Sequence, residues 1–344
     1  MKNKSSTVED VAREAGVSTA TVSRVFNRSP LVTEKTVNEV LAVAEKMNYK
    51  PSRVARRLRS QKSASGVIGV IITDIKNPFF SEVVRGVEDV AFEKQHGIIT
   101  CNSDENDEKE RFYLNTLISE QISGLVIAPT PHNFPLLQDL ADRGYPIVLV
   151  DRTGPEPTFD SVKVNNVEGA YKAVSQLLEL GHRRIGLIGG IPGITTTEER
   201  YKGFLDAHDA HEVEVDEQLV SFGNSRQDGG IEQTRKLLSK DDPPTALFVT
   251  NNLMTLGCLQ ELHERKVKIP SEMAVVGFDD MPWAVALNPP LTAVKQPGYE
   301  LGNSAADLLF KRISMPDRPA NHLMLNADLI IRKSCGAQEE TLKI

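Results

Sequence analysis

Apolar and polar residues follow two different patterns along this chain, and the change between them divides the sequence into two parts. Up to about residue 50, apolar side chains recur every three to four residues, which is typical of amphipathic helices. From residue 66 onward, short apolar runs such as GVIGVII and PIVLV alternate with helical patterns such as EVVRGVEDVAFEKQ. The first pattern predicts an all-helical head, and the second predicts buried strands connected by helices.

The head is predicted to contain three short helices, the third over 33–47. Ser6 and Glu9 fit a capping box at the start of the first helix, and Gly16 supplies the positive φ at which that helix ends. Ser18 is a natural cap for the second helix. The apolar faces of the three helices comprise Val8, Val11, Ala12, Ala15, Val22, Val25, Phe26, Val37, Val40, Leu41, Ala44 and Met47.

The second helix carries small polar side chains and one arginine on the face opposite its apolar stripe. These residues are Thr19, Ala20, Ser23, Arg24 and Asn27. Short side chains and an arginine near the start of a helix suit entry into the major groove of DNA. The pattern therefore predicts a DNA-binding helix-turn-helix, and the alternative is an ordinary surface helical hairpin.

Eight apolar runs of strand length follow the head, at 66–74, 96–101, 123–129, 146–151, 183–190, 219–223, 245–251 and 273–280. Strands that alternate with helices predict βαβ units and a parallel, doubly wound sheet. Because eight strands are too many for one small sheet, we expect two similar subdomains that join near residues 160–166. The segment 291–313 is expected to cross back and complete the first subdomain.

The predicted fold is therefore an all-α helix-turn-helix head followed by an α/β core of two doubly wound parallel-sheet subdomains. The head spans 1–50 and a basic linker spans 51–63. The N-subdomain of the core comprises 64–165 and 293–325, and the C-subdomain comprises 166–292 and 326–344.

Charge is distributed unevenly between these parts. The net charge is −7, but residues 1–62 contain 13 Lys and Arg against 6 Asp and Glu, and the remainder contains 27 against 41. A basic head on an acidic body concentrates phosphate attraction in one place.

Three features of the sequence bear on its cellular location. The start MKNKSSTVED has no apolar segment, and the apolar runs are too short to span a bilayer. The three cysteines are widely separated, which fits reduced, structural thiols. The sequence thus predicts a cytoplasmic protein with no membrane partner.

Several motifs occur in the order in which one known family has them. They are DVAREAGVSTATVSRVFN and VTEKTVNEVLAVAEKMNYKPSRVARRL in the head, and IGVIITDIKNPFF, LVSFG, LGHRRIGLIGG, GFDD and NPPLTAVKQP in the core. Over about residues 7–335 the chain resembles the LacI-type (lactose and purine repressor) transcriptional regulators. The resemblance implies a homodimer with a periplasmic-binding-protein-like core, a head that binds a DNA operator, and a small effector between the subdomains.

The resemblance also implies roles for residues of the head. Thr19, Ala20 and Arg24 are expected at base edges, with Arg24 setting specificity because a bidentate arginine–guanine contact is the commonest specific one. Phosphate contacts are implied for Thr7, Ser18, Thr21, Ser23 and Asn27. Thr7 and Ser18 equally fit simple helix caps, and the two roles can coexist.

The linker matches the family's hinge helix, in which Arg53 is expected to contact DNA and Leu58 to intercalate. Leu58 lies between Arg56, Arg57 and Arg59, and an apolar residue flanked by cations suits a minor-groove wedge. The alternative is that Leu58 packs against the head or against its partner in the dimer.

Ligands of open α/β sheets bind outside the carboxyl ends of the strands. That rule and the family resemblance together imply effector-binding roles for Phe79, Phe80, Asp151, Arg152, Thr196, Arg200, Ser225, Asn251, Asp279 and Gln296. Asp, Asn and Arg suit vicinal hydroxyls, and an aromatic wall suits the apolar face of a sugar ring.

Two positions depart from the family pattern. Ile194 stands where purine- and sugar-binding relatives often have a further polar or cationic residue, and Ser225 stands where several have a large aromatic. They leave open whether the ligand is a sugar or sugar acid, which is the first choice, or a nucleobase or nucleoside.

Simpler structural roles remain open for four residues of the core. Arg200 could form an interhelix ion pair, Asp279 could cap a turn, and Asn252 is expected to cap a turn or helix. Trp283 follows the GFDD motif, and the sequence leaves open whether its side chain borders the cleft or lies elsewhere.

No motif for phosphate-loop, dinucleotide, nucleophile-elbow or zinc-protease chemistry occurs, and metal-ligand spacing is missing. The sequence predicts a regulator and no enzyme, cofactor or metal, and the family resemblance implies that the regulator is a repressor. A pure solute-binding protein and a doubly wound enzyme are the rival classes. Within the regulator class, a phosphorylated protein that docks on the N-subdomain as corepressor remains an alternative to the small effector.

Overall fold

The computed structural model describes residues 7–26, 29, 31–47, 49, 66–154 and 157–337, which fall into two compact units divided at residue 65. The first unit is the predicted head. Its helices are α1 (Val8–Glu14), α2 (Thr19–Phe26) and α3 (Glu34–Lys46). The predicted hinge at 51–63, with Arg53 and Leu58, lies outside the described residues, as does Asn27.

The three helices bury most of the apolar faces that the periodicity predicts. The fully buried side chains are Val11, Ala12, Val22, Val25, Val40 and Ala44. Leu41 is an exception: it is 44% exposed, because it lies one residue beyond the buried position Val40 and points away from the other helices. Removal of these apolar surfaces from water is the main stabilising contribution in a unit this small.

The helix ends differ from the prediction in one detail. The capping box consists of Thr7 and Asp10 instead of Ser6 and Glu9: Thr7 Oγ1 accepts from Asp10 N at 3.3 Å, and the Asp10 carboxylate accepts from Thr7 N at 3.0 Å. The apolar period fixes the face of a helix but leaves its first residue uncertain by one. Gly16 has φ +65°, as its position between the helices requires.

The second unit contains eight helices among its described residues. They are α4 (Pro78–Glu93), α5 (Asp107–Ser119), α6 (Phe134–Asp142), α7 (Asn166–Glu179), α8 (Thr195–Ala210), α9 (Gln227–Leu238), α10 (Asn252–Glu264) and α11 (Gly298–Ser314). Not one of the helices in the described parts of the chain is both long and apolar enough to cross a membrane.

The strands of this unit form two six-stranded sheets. They are β1 (Val67–Ile72), β2 (Gly97–Asn102), β3 (Gly124–Ile127), β4 (Ile147–Val150), β5 (Asp160–Val164), β6 (Ile185–Gly189), β7 (Val220–Phe222), β8 (Ala246–Val249), β9 (Ala274–Phe278), β10 (Thr292–Lys295), β11 (His322–Leu325) and β12 (Asp328–Ile330). All eight predicted runs are strands.

The first sheet has the order β11-β5-β4-β3-β1-β2 and is parallel throughout. The second has the order β12-β10-β9-β8-β6-β7 and is parallel except for β12, which pairs antiparallel with β10. Strand–helix–strand units build both sheets, so the predicted fold class is confirmed.

The boundaries between the subdomains differ from the prediction at one place. Strand β5 adds to the first sheet, inside the range 64–165 that the sequence assigns to the N-subdomain. The expected return at residue 293 falls inside β10, which pairs with β9 and β12 of the second sheet, so the chain returns only after Lys295. An apolar run shows that a strand exists but does not show which sheet it joins.

Helices α4 and α11 pack closely in the N-subdomain, because glycines lie where their backbones meet. A Cβ atom on Gly86 would lie 2.1 Å from Tyr299 O, and one on Gly302 would lie 2.0 Å from Val83 O. Since α11 follows the return from the second sheet, this contact anchors the crossing chain to the first subdomain.

Candidate functional site

A cavity lies between the two subdomains at the carboxyl ends of their strands. Its unfilled space measures about 700 Å³, including the part that opens to solvent. We call it the cleft cavity. The turns after β1, β2 and β4 line it from the N-subdomain, and those after β6, β7, β8, β9 and β10 line it from the C-subdomain. This is the location at which doubly wound sheets bind ligands.

All ten residues to which the sequence assigns effector-binding roles line the cleft cavity: Phe79, Phe80, Asp151, Arg152, Thr196, Arg200, Ser225, Asn251, Asp279 and Gln296. Ile194, which departs from the family pattern, lines it too. Trp283 does not; it packs against the core of the C-subdomain.

The N-subdomain supplies an aromatic wall at the start of α4. Phe79 and Phe80 are buried and meet edge to face, with ring centroids 5.0 Å apart. Asn77 caps α4 by accepting from Phe79 N at 2.9 Å. The same Asn77 Oδ1 accepts from Asn252 Nδ2 at 2.7 Å, so the helix start is hydrogen-bonded across the cleft to the C-subdomain.

Arg152, on the N-subdomain side, is neutralised within its own subdomain. Its guanidinium donates to both carboxylate oxygens of Glu105, at 2.8 and 2.5 Å, and to Pro129 O at 3.1 Å. Burial lowers the pKa of Arg152, but Glu105 and Asp151 outweigh burial and hold that pKa above its usual value. Its Nε is buried without a hydrogen-bond partner.

Arg200, on the C-subdomain side, is held by uncharged groups. Its Nε donates to Asn166 Oδ1 at 2.9 Å and its Nη1 to Thr250 O at 2.6 Å, while the guanidinium lies 3.9 Å from the centroid of the Phe278 ring. Burial lowers the pKa of Arg200, an effect that Asp279 and Asp151 only partly offset. No ion pair of Arg200 occurs among the described residues, so the interhelix ion pair is wrong.

Two buried carboxyls accompany Arg200. Burial raises the pKa of Asp151 to about 6, against the opposing effect of Arg152 and Arg200. Burial also raises the pKa of Asp279, although Arg200, Gln296 and Asn252 oppose the change. A carboxyl that titrates near neutral pH beside an arginine without an ion pair is the type of perturbed group that functional sites contain.

Strained backbone is concentrated around the same cavity. Five of its residues have φ between 54° and 74°, a region that side chains other than glycine rarely adopt: Asp104, Glu105, Asp151, Ser225 and Asp279. Such strain persists only where surrounding structure imposes it, and it is commonest at ligand sites.

Asn251 lines the cleft cavity as expected, but it also has the capping role that was expected of its neighbour Asn252. Asn251 caps α10, since its Oδ1 accepts from Met254 N at 2.7 Å, and its Nδ2 donates to Ser225 O at 2.9 Å. The expectation that Asn252 is a cap is wrong. Asp279 was the other residue for which a capping role was open. Its Oδ2 accepts a hydrogen bond from Asn252 N, at the first residue of α10, at 3.3 Å, so Asp279 contacts the start of this helix as well as lining the cavity.

Buried polar atoms without partners border the cleft cavity. The Gln296 amide donates to Asp279 Oδ1, while Gln296 Oε1 is buried without a partner in the structure. Arg152 Nε likewise makes no hydrogen bond, although Asp151 Oδ2 lies 3.7 Å from it. Because unpaired buried polar atoms are costly, they indicate where a ligand would supply the missing bonds.

Sequence reasoning missed other polar residues of the cavity, among them Asp74, Asn77, Asp104, Glu105 and Arg226. Three of these five follow β2 or β7, and the strand-end rule applies to these strands as well. Across the cleft, Arg226 Nη2 donates to Asp104 O at 3.4 Å.

The cavity offers hydrogen-bond donors, acceptors and an aromatic wall. Within the described ranges, no group of three or more His, Cys, Asp or Glu side chains could hold a metal ion. Its chemistry fits recognition of a small hydroxylated molecule.

In the head, α2 presents the face that the sequence predicts. Thr19, Ala20 and Arg24 are exposed, while Val22 and Val25 are buried against the other two helices. Ser18 Oγ accepts from Thr21 N at 3.1 Å, so the predicted cap is confirmed. Ser18 and Thr7, the residue before α1, are exposed, and Thr21 and Ser23 are partly exposed. Short side chains and one arginine are therefore available at the start of α2.

Comparisons with known proteins agree with both halves of this description. The family model for bacterial regulatory proteins of the lacI family matches residues 7–52, and the model for a periplasmic binding protein-like domain matches 174–335. A curated relative, the HTH-type transcriptional repressor PurR of Photobacterium profundum, is 34% identical over 330 residues, which cover 95% of this chain and 98% of the relative.

Two solved structures show the same similarity over almost the whole chain. The lac repressor dimer bound to operator and the anti-inducer ONPF has a TM-score of 0.84 at 27% identity, covering 97% of this chain and all of the other. The complex of the transcriptional regulator CelR with cellobiose has a TM-score of 0.73 at 30% identity, covering 96% and 99%.

Proposed function

This chain belongs to the LacI family of bacterial regulatory proteins, and we propose that the effector of this regulator is a sugar or sugar acid bound in the cleft cavity. The chain is a ligand-responsive, DNA-binding transcriptional regulator, and its relatives are repressors and not enzymes. The observation that carries the proposal is the combination of Arg200 with Asp151 and Asp279 beside the wall of Phe79 and Phe80.

A sugar fits this combination for two reasons. Each hydroxyl can donate to a carboxylate and accept from a guanidinium, so neighbouring hydroxyls match an Asp–Arg pair. The apolar face of a sugar ring can lie on an aromatic side chain. Among the described lining residues, five carboxylates (Asp74, Asp104, Glu105, Asp151 and Asp279) outnumber the three guanidiniums (Arg152, Arg200 and Arg226), which favours an uncharged sugar over a sugar acid.

A chain of hydrogen bonds supports coupling between the cavity and the subdomain junction. Arg200 donates to Asn166, whose Nδ2 donates to Glu199 Oε2 at 2.9 Å. Glu199 Oε1 accepts from Lys163 Nζ at 2.7 Å, and Lys163 lies on β5 of the N-subdomain. We name Lys163, Glu199, Asn166 and Arg200 the junction network. A ligand that draws Arg200 toward the cavity would change the bonds that fix the angle between the subdomains.

We further propose that a homodimer binds a near-palindromic operator, with one α2 helix in each of two successive major grooves. Arg24, Thr19 and Ala20 would read bases there, and Thr7, Ser18, Thr21 and Ser23 would contact phosphates. Effector binding and operator binding are then reciprocal: each changes the affinity of the other by the same factor.

The experiment is fluorescence anisotropy of the full chain on a palindromic operator with a central CG step, taken from upstream of its own gene. It is run at two salt concentrations against a panel of sugars and sugar acids. The expected result is sequence-selective binding that one compound shifts. Selective binding that no compound shifts would contradict the sugar proposal and favour a nucleobase or protein corepressor.

A further inference from the structure

The starts of two helices, one in each subdomain, are joined across the cleft by a pair of asparagines. Asn77 is the cap of α4 in the N-subdomain, and Asn252 is the first residue of α10 in the C-subdomain. Asn252 Nδ2 donates to Asn77 Oδ1 at 2.7 Å, and both side chains are buried. We call this contact the asparagine bond. Because water is excluded from it, the bond is stronger than an exposed one would be.

The direction of the asparagine bond is fixed by the cap of α4. Asn77 Oδ1 also accepts from Phe79 N at 2.9 Å, so the cap requires the oxygen of Asn77 at this place and Asn252 must supply the donor. Within its own subdomain, the amide of Asn252 contacts Met281 Sδ, a weak acceptor, at 3.5 Å. Asn252 Oδ1 is buried without a partner among the residues that the structure describes. Since an unpaired buried oxygen is costly, the bond to Asn77 is what holds Asn252 in this orientation.

The asparagine bond connects the C-subdomain to the aromatic wall of the cleft cavity. On the C-subdomain side, the backbone of Asn252 is anchored, because its N donates to Asp279 Oδ2 at 3.3 Å. On the N-subdomain side, the first turn of α4 carries Phe79 and Phe80, whose rings pack edge to face. The bond therefore runs from an anchored point beside Asp279 to the helical turn that carries the wall.

We propose that Asn252 is a positioning residue of the effector site. Through the asparagine bond it holds the first turn of α4, and with it the wall of Phe79 and Phe80, against the C-subdomain when no effector is bound. The bond requires a donor at residue 252 and an acceptor at residue 77. The inference holds for any effector of the cleft cavity, so it does not depend on the proposed sugar.

The test is hydrogen–deuterium exchange of the full chain without effector, measured by mass spectrometry on the segments 76–82 and 251–256. Asn252→Ala removes the donor, and Asn252→Asp replaces it with an acceptor of the same shape. Both are expected to speed exchange in 76–82 about fivefold, the net effect of one buried hydrogen bond. Asn115→Asp, on an exposed residue of α5, is the control and should leave this exchange unchanged.

Asn77→Asp separates the asparagine bond from simple packing. Aspartate has the shape of asparagine, caps helices equally well and can accept from both Phe79 N and Asn252 Nδ2. Exchange in 76–82 should therefore stay within about twofold of that of the unsubstituted chain. If only the volume of the side chains mattered, the change from Asn to Asp would be tolerated at both residues.

Effector affinity gives a second readout. A ligand that meets a wall already in position binds more tightly, since it does not have to order that wall itself. The Kd of a compound that binds should thus rise about fivefold in Asn252→Ala and stay within about twofold in Asn77→Asp. This readout alone rests on the proposed function: if no compound of the sugar panel binds, the sugar proposal fails while the exchange measurement still decides on the asparagine bond.

Two results of the exchange measurement overturn the inference. Unchanged exchange in 76–82 in both Asn252 variants, with faster exchange confined to 251–256, would show that Asn252 acts only within α10. Equal exchange in Asn77→Asp and Asn252→Asp would show that the direction of the bond is irrelevant. If Asn252→Ala folds poorly, Asn252→Asp decides, because it keeps the shape of the side chain.

Discussion

The two faces of the cleft cavity each contain a buried arginine, but the structure treats these arginines differently. On the N-subdomain face, Arg152 has the Glu105 carboxylate as a bidentate partner, and its pKa is raised. On the C-subdomain face, Arg200 is bonded to an amide oxygen and a carbonyl, and its pKa is lowered by burial. The effect of burial on the arginine pKa is thus outweighed by nearby carboxylates for Arg152 and only partly offset by them for Arg200.

The difference indicates which face responds to ligand. A buried charge with an ion-pair partner contributes mainly to local structure, whereas one held by neutral groups gains most when a ligand supplies further hydrogen bonds. Asp151 and Asp279 lie near enough to interact electrostatically with Arg200. Arg200 is therefore expected to govern ligand affinity, and the Glu105–Arg152 pair to govern the stability of the site.

The largest expected effect is on ligand binding by Arg200→Lys. Lysine keeps the charge but loses the planar donors, so the Kd of the sugar identified in the panel should rise about 100-fold, equivalent to about 3 kcal/mol. Calorimetry measures this change. Arg85→Lys, on an exposed residue of α4, is the control. An unchanged Kd in Arg200→Lys would show that the two faces do not differ as described.

The second prediction concerns the N-subdomain face. Glu105→Gln leaves Arg152 without its counter-charge, and because Glu105 is 18% exposed we expect a loss of about 2 kcal/mol of unfolding free energy. Thermal or urea unfolding followed by circular dichroism measures the loss. Glu108→Gln, on an exposed residue of α5, should be neutral. Equal stability of the two variants would contradict a structural role for the Glu105–Arg152 pair.

The third prediction is a pH dependence with opposite signs for stability and binding. The pKa of Asp151 is about 6 in the folded chain against an ordinary 3.8, so its favourable contribution to stability is full below pH 4 and is lost as the pH rises through 6. Sugar hydroxyls donate to the ionised form, so ligand affinity should instead rise about tenfold from pH 5 to pH 7. Calorimetry across this range checks it, and Asp151→Asn should give a flatter profile.

The smallest expected effect concerns the junction network. Lys163→Met removes the bond from β5 to Glu199 without touching the cleft cavity, so the Kd of the sugar should change less than about threefold. The factor by which the sugar shifts operator affinity should fall about three- to fivefold. Anisotropy measures this factor. Lys172→Met, which breaks an exposed ion pair on α7, is the control and should leave it unchanged.

Local sequence patterns predicted the helices and strands of this fold. They did not predict the exact first helix cap or the sheet to which each strand belongs, because these depend on contacts with other residues. Apolar periodicity predicted the three head helices and eight strands, but it placed the first cap one residue early and the return of the chain inside β10. These errors arise because helix starts depend on a single side-chain bond and sheet membership depends on a partner strand. Neither is visible in the apolar pattern alone.

The candidate site shows the same limit. The strand-end rule and family motifs brought ten residues to one cavity, yet they did not find Glu105, which pairs with an arginine 47 residues away. They also assigned capping to Asn252 when Asn251 performs it, because adjacent asparagines are equivalent in sequence and differ only in where the backbone directs them.

The most direct test of the account is the operator Kd of the full chain, measured by anisotropy over a titration of the identified sugar, for the unsubstituted protein and for Arg200→Lys. The account predicts that the sugar changes the operator Kd at least tenfold in the unsubstituted protein. It also predicts that Arg200→Lys needs about 100-fold more sugar for the same change. Identical titration curves for the two proteins would contradict the claim that Arg200 senses the effector.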